Sequence, residues 1–155
     1  MPFTVRDFQP ADFETLWRVD QECFPPGISY SRAELKLYMR RSGSFTLVAE
    51  DAAITSGKGL VAGFIVAEAD GRGHGHIITI DVIATARRFG VGSLLLGAAE
   101  DRLRVSTCRS IELETAVDNS SALAFYKRHG YSVIKTFPRY YSNGVDALVL
   151  QKDLP

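Results

Sequence analysis

The sequence predicts an α/β protein built on one mixed, mostly antiparallel sheet of about seven strands, with about four helices. Three observations carry that expectation. Short apolar runs of strand character alternate with stretches of helical period in the order β-α-α-β-β-β-α-β-α-β-β. The early strands follow one another as a meander, and a strand-helix-strand crossover comes later, which calls for a mixed sheet. The length, 155 residues, suits one domain spanning 1–155 with a proper core.

Each element has a local reason. FTVRDF (3–8) reads as a short strand, and a helix follows from about Asp12 to Cys23, with Phe13, Leu16 and Trp17 on one face. FPPGISY (24–30) is a loop, because two prolines and a glycine forbid regular structure. Ser31-Arg32-Ala33-Glu34 is a capping box that opens a second helix, to about Arg40. SFTLVAED (44–51) and LVAGFIVAEAD (60–70) are strands around a polar, glycine-bearing loop. HGHIITIDVIA (74–84) is the next strand, after a DGRG turn at 70–73. GVGSLLLGAAEDRLRV (90–105) is a helix with an apolar stripe of Val91, Leu94, Leu95, Ala98 and Ala99. SIELETA (110–116) is a strand. SSALAFYKRHG (120–130) is a short helix, capped by Asn119 or Ser120 and stopped at Gly130. YSVIKTF (131–137) and VDALVLQKDL (145–154) are the closing strands.

Composition excludes several classes. Formal net charge is zero, with a pI near 6.8, whereas a general nucleic-acid binder carries a basic excess. No apolar run is long enough to span a bilayer, and MPFTVRDF lacks the basic-then-apolar pattern of a signal peptide. Cys23 and Cys108 are far apart with no CxxC, which argues against a disulfide framework or zinc site and fits a reducing cytoplasm. No membrane, nucleic-acid or metal partner is expected. His74 and His76 form an H-x-H pair, yet no third ligand is in view, so they read as a polar turn.

The informative stretch is RRFGVG (87–92), where two arginines meet two glycines just as a helix begins. Glycines leave backbone N–H groups unshielded, the first N–H groups of a helix lack internal partners, and the helix dipole adds roughly half a positive charge. Arg87 and Arg88 add full charges. Together these suit an anion, a phosphate or pyrophosphate. A dinucleotide-binding GxGxxG fails because Leu95 stands at the third glycine and repeated βαβ units are missing, and no GxxxxGK[ST] occurs. Alone, GxG also fits a tight turn beside two solvated arginines.

It is not alone. Some 27 residues on comes DNSSALAFYKRHGY (118–131). RRFGVG resembles the Q/R-x-x-G-x-G/A pyrophosphate loop of the GNAT superfamily of acyl-CoA N-acyltransferases. The second segment resembles their N-x-x-A-x-x-x-Y-x-x-x-G-[FY] helix. Within it the chain is most similar to the RimI-type and related N-terminal protein acetyltransferases, through LETAVDNSSALAFY (113–126) and RYYSNGVDALVLQKDL (139–154). The resemblance is most specific from 76 to 154. It departs at Ile83-Ala84-Thr85-Ala86, where an acidic or proline-containing turn is usual, and the N-terminal third matches loosely.

This resemblance implies the GNAT fold, with the sheet splayed between the fourth and fifth strands. It also implies acetyl-CoA as acetyl donor and the α-amine of a protein or peptide, a ribosomal protein among the options, as acceptor. Direct attack in a ternary complex would follow. Residues 88–93 (Arg88, Phe89, Gly90, Val91, Gly92, Ser93) with Arg87 would hold the pyrophosphate. Ile80-Asp81-Val82 would offer its edge to the pantetheine amides, with an N–H near Val82 polarising the thioester carbonyl.

Glu114 aligns with the family's base. It shares a strand face with Glu112 by the period of two, and both could equally be solvated carboxylates. A modest base suffices for an α-amine of pKa ~7.7–8.0. Tyr126 stands where the family places the acid for the leaving thiolate, and it also sits at core spacing from Ala122 and Leu123. Asn119 reads equally as cofactor ligand and helix cap. Tyr140 and Tyr141, with Phe24, Pro25 and Tyr30, would hold the acceptor. His129, ending the short helix, complements the dipole only. The two cysteines stand apart from these motifs, so no covalent acyl-enzyme is implied. Acetylation of a small amine (a polyamine, amino sugar or antibiotic) and an acyl-CoA-binding module without turnover are the alternative readings.

Overall fold

The computed structural model describes residues 3–51 and 60–155, so the loop expected between the second and third strands lies outside the described residues. The strands are β1 (Phe3–Asp7), β2 (Ser44–Asp51), β3 (Leu60–Ala69), β4 (His74–Val82), β5 (Ser110–Ala116), β6 (Ser132–Phe137) and β7 (Ala147–Asp153). The helices are α1 (Phe13–Cys23), α2 (Arg32–Arg40), α3 (Val91–Val105) and α4 (Ser120–Arg128). One sheet runs β1-β2-β3-β4-β5-β7-β6. Every neighbouring pair is antiparallel except β4–β5.

The β4–β5 pair creates the site. Its pairing runs only from His74↔Ser110 to Ile77↔Leu113. Beyond that point β4 continues to Val82 and β5 to Ala116 without pairing to each other. A bulge accompanies the parting: Val66 of β3 pairs with Thr79 and the next residue, Ala67, with Ile77, so Ile78 is an extra residue on β4. A bulge bends its strand and reverses which residues face each side. Ile77 belongs to the core on one face, and beyond the bulge Ile80 and Val82 take that side. Thr79 and Asp81 are thereby turned to the opposite face, toward α1.

Two cores flank the sheet. Leu95, Leu96, Ala99 and Leu103 of α3 pack on Leu47, Ile65, Ile77, Leu113 and Leu150. On the other face Leu16 and Val19 of α1 and Leu35 of α2 pack on Val48, Phe64 and Val66. The stripe expected on α3 is rotated: Leu94 is 40% exposed, while Leu96 and Leu103 are wholly buried. Glu100 of the same helix is buried too, accepting from the Tyr131 hydroxyl at 2.8 Å and from Lys152 Nζ at 3.1 Å. The capping box forms as expected: Glu34 N–H donates to Ser31 Oγ, and Ser31 N–H to Glu34 Oε1.

Candidate active site

The splay opens into a cavity of about 890 Å³. Ile80 and Val82 form one wall and Leu113 to Ala116 the other. The start of α3 closes one end, and the α1–α2 and β6–β7 loops close the other.

At the α3 end the two glycines have different reasons. Gly90 is the N-cap with φ +81°, a left-handed conformation that a side chain resists. Gly92 sits under α4: a Cβ there would lie 3.2 Å from the Phe125 ring. No side chain caps α3, so its first N–H groups face the cavity end with the helix dipole behind them. Arg87, Arg88, Gly90, Val91, Gly92 and Ser93 all line this end. Phe89 does not; its ring is 55% exposed. Ser93 Oγ pairs with His129 Nε2 at 2.9 Å, so His129 joins α4 to α3 as well as ending α4. Ala84–Ala86 forms a 3-10 turn whose last residue is buried in the core.

The edge of β4 is set by alternation. Ile83 N–H donates to Ala62 O on β3 at 2.9 Å. The backbone groups of Val82 therefore face the other way, into the splay. Its carbonyl accepts from Arg87 Nε at 3.1 Å and from the Cys23 thiol at 3.4 Å. Two expectations change here. Cys23 lies at the site, brought there by the end of α1. Burial above all pushes its thiol up to about 11, so it is a donor and a poor nucleophile at neutral pH. Asp81 does not line the cavity: its carboxyl is buried, 1% exposed, on the face of the sheet toward α1.

Glu114 lies on the β5 wall, and His76 of β4 holds it. His76 Nε2 is 2.8 Å from Glu114 Oε1 and 3.1 Å from Oε2. His76 Nδ1 is 3.7 Å from Glu68. Burial opposes charge on the ring, but the Glu114 bond and the charges of Glu114 and Glu68 outweigh it and raise His76 above its ordinary pKa. The H-x-H pair is thus no turn. Both histidines lie in β4, with His74 Nδ1 on Ser110 Oγ at 3.0 Å. Among the described residues no group of three or more His, Cys, Asp and Glu is placed to hold a metal.

Tyr126 lines the cavity from α4 and is 6% exposed; burial keeps its hydroxyl protonated far above the ordinary range. Asn119 lines it too and caps α4, accepting Ala122 N–H at 3.2 Å, so the cap reading holds whatever else its amide does.

At the far end, Phe24, Pro25, Ile28 and Tyr30 from one loop and Tyr141 and Asn143 from the other line the opening. Gly27 O accepts from Ser142 N–H at 3.2 Å and Ser142 Oγ at 2.9 Å, which ties the loops together. Gly27 (φ +91°) leaves no room for a side chain, since a Cβ would meet Asn143 at 2.7 Å. Tyr140 does not line the cavity, but its hydroxyl is 3.4 Å from Glu114 Oε1, and burial, then the charge of Glu114, pushes it up to about 12.

A splayed parallel pair, an uncapped helix start beside two arginines and a carboxylate on the wall thus share one cavity, and the relatives give the class of protein. The acetyltransferase (GNAT) family model matches residues 13–131, and the chain belongs to that family. The chain is 31% identical over 152 residues to the uncharacterized N-acetyltransferase MJ1530 of Methanocaldococcus jannaschii, covering 97% of this chain and 92% of that one. It is 31% identical over 122 residues to N-alpha-acetyltransferase 20 of Dictyostelium discoideum, covering 76% and 68% of the two chains. The crystal structure of Ard1 from Thermoplasma volcanium superposes with a TM-score of 0.88 at 29% identity, over 100% and 99% of the chains. A chain of the NatC complex bound to Gag peptide and CoA gives 0.85 at 26%, over the full length of both. The fold is therefore the GNAT fold. The ribosomal-protein-S18-alanine N-acetyltransferase of Escherichia coli, at 20% identity and a TM-score of 0.80, shares that fold.

Proposed function

We propose that this enzyme transfers an acetyl group from acetyl-CoA to the N-terminal α-amine of a protein or peptide, by direct attack in a ternary complex. The observation that carries the reading is one cavity with two chemically different ends meeting at the splay, which Glu114 of β5 and Tyr126 of α4 both line. The relatives named N-alpha-acetyltransferase support the acceptor class.

The residues present fit acetyl-CoA. The uncapped start of α3 with Arg87 and Arg88 would hold the pyrophosphate. Ile80, Val82 and Phe125 would line the pantetheine arm, and the free β4 edge would pair with its amides. When bound, acetyl-CoA supplies an acyl group activated as a thioester. Val82 N–H faces the splay and would donate to the carbonyl oxygen as negative charge develops there. Arg87 and Cys23 hold that peptide unit's neighbourhood rigid through the Val82 carbonyl.

Glu114, oriented by His76, would take the amine proton, directly or through one water. Tyr126, which burial keeps protonated, would donate a hydrogen bond to the leaving sulfur. A thiol of ordinary pKa ~8.5 is a stronger acid than this tyrosine, so stabilising the thiolate by hydrogen bonding costs less than full proton transfer. Asn119 would add an amide contact to the cofactor. Phe24, Pro25, Tyr30 and Tyr141 would wall the acceptor, with Tyr140 bridging to Glu114.

We further propose that 1–155 act as one catalytic domain in the cytoplasm, consistent with the continuous sheet and the two free cysteines. No helix among the described residues is long and apolar enough to cross a membrane. The test is incubation with acetyl-CoA and a pool of peptides varied in their first two residues, read by mass spectrometry. Acetylation at the α-amine, selective for the first residues, supports the reading. Acetylation of small amines with no peptide modified overturns the acceptor class, and binding of acetyl-CoA without any transfer overturns catalysis.

A further inference from the structure

Two buried carboxyls meet beneath the acceptor loop, and the proposed mechanism uses neither side chain. Asp20, in the last turn of α1, is 0% exposed, and Asp81 of β4 is 1% exposed. Asp20 Oδ2 accepts Tyr30 N–H at 2.8 Å, which fixes the far end of the α1–α2 loop. Asp81 Oδ1 accepts the Thr79 hydroxyl at 2.6 Å. The end of α1 packs on the end of β4, where the Cys23 thiol reaches Val82 O at 3.4 Å, and the two carboxyls meet there, each without a partner on one oxygen. That contact requires a proton, and the oxygens agree: Asp20 Oδ1 and Asp81 Oδ2 are both buried with no other donor among the described residues. Two ionised carboxylates in dry contact repel and lose their hydration, so a pair of this kind keeps one proton.

We infer that Asp81 is a positioning residue: as a carboxylic acid it donates to Asp20, and so pins the α1–α2 loop to the strand that borders the splay. The loop is the acceptor wall only in the function proposed above, and the inference rests on that reading for what the wall holds. The latch itself stands on the two side chains.

The groups around the pair point the same way. Burial is the largest influence on Asp81 and raises its pKa well above the ordinary value; the Asp20 bond and charge add to it, while the Thr79 hydroxyl and Arg87 oppose it. Cys23 from α1, Tyr126 from α4 and Tyr30 from the loop also surround the pair, and burial holds all three protonated, so none of them supplies a compensating charge. Arg87 is the cation acting on Asp81, and its guanidinium is engaged at Val82 O and Cys23 Sγ. The sign follows. A raised acid favours the neutral form in the fold, so its stabilising contribution is full below ~3.9 and is lost as pH rises through the folded value. The latch opens on the alkaline side.

The chain carries its own reporter. Trp17, its single tryptophan, donates Nε1–H to Tyr30 O at 3.0 Å, on the same loop. The experiment compares the wild type with Asp81→Asn and Asp81→Ala in the full chain. Asparagine keeps a donor for Asp20 and cannot titrate; alanine removes it. The infrared spectrum of the wild type at neutral pH is expected to show a carboxylic-acid carbonyl band that D81N lacks. D81A is expected to shift Trp17 emission to the red and to raise acceptor KM about tenfold, with KM for acetyl-CoA held, while D81N restores wild-type emission. An acid band absent from the wild type, or emission in D81N shifted as in D81A, overturns the latch. Should D81A fail to fold, the band and the D81N emission still decide. Neither readout needs turnover, so a latch confirmed in a protein that acetylates no peptide would condemn the functional reading alone.

Discussion

His76 Nε2 lies 2.8 Å from Glu114 Oε1, joining β4 to β5 at the place where their pairing ends. One residue beyond Ile77↔Leu113 the strands separate, so the ring spans the mouth of the splay. It holds the carboxylate that faces the cavity and keeps its second nitrogen toward Glu68. In the proposed function this orients the base through a partner that itself has a partner.

Removing the carboxylate tests that role first. Glu114→Gln keeps the shape and an acceptor oxygen but cannot take a proton. The expected result is a kcat lowered about a hundredfold or more, with KM for acetyl-CoA nearly unchanged, by initial rates at saturating acceptor. Wild-type kcat in this variant would remove Glu114 from the chemistry.

The histidine gives a pH signature. Its pKa is raised in the fold, so the bond to Glu114 contributes fully below ~6.5 and is lost as pH rises through the raised value. The stability difference between wild type and His76→Gln, from urea unfolding, should therefore be largest at mildly acidic pH and shrink toward alkaline pH. A difference that is flat or grows across that range would contradict the pairing.

Tyr126 should separate chemistry from packing. Tyr126→Phe keeps the edge contacts with Phe125 and Tyr131. A stability change within about 1 kcal/mol is expected, by thermal unfolding, together with a fall in kcat. A large loss of stability with kcat unchanged would make it a core aromatic and nothing more.

The two glycines at the start of α3, the pyrophosphate site of the proposed function, should respond differently. Gly90→Ala meets nothing within 4 Å, so its cost is conformational, about 1–2 kcal/mol for the left-handed backbone. Gly92→Ala drives a methyl against Phe125 and strains the α3–α4 contact instead. Both should raise KM for acetyl-CoA. Arg87→Ala should do the same and also flatten the salt dependence of that KM, since an exposed cation–phosphate attraction is screened.

What the sequence revealed followed sequence distance. Ser31 with Glu34 and Asn119 with Ala122 are local, and each forms as its spacing implies. Glu114 and Tyr126 were reachable through motif resemblance. His76 was not, because its partner stands 38 residues away across a parallel pair that nothing local announces. The face taken by the Asp81 side chain is likewise hidden from a local reading. A strict period of two carries its side chain to one face, and a single extra residue at Ile78 sends it to the other. Cys23 looked remote from the motifs, but α1 ends beside Val82, a contact set by packing rather than by order in the chain.

In the proposed function one cavity takes the donor from the α3 end and a peptide N-terminus from the loop end, with the reacting atoms meeting at the splay. A compound in which a peptide α-amine is joined through an acetyl linker to CoA tests it most directly, with its affinity measured by calorimetry against CoA and the free peptide. Binding about a hundredfold or more tighter than CoA alone is expected when both halves engage at once. It should weaken in Gly27→Ala, which disturbs only the loop end. An affinity equal to that of CoA alone would mean that the peptide half finds no site there.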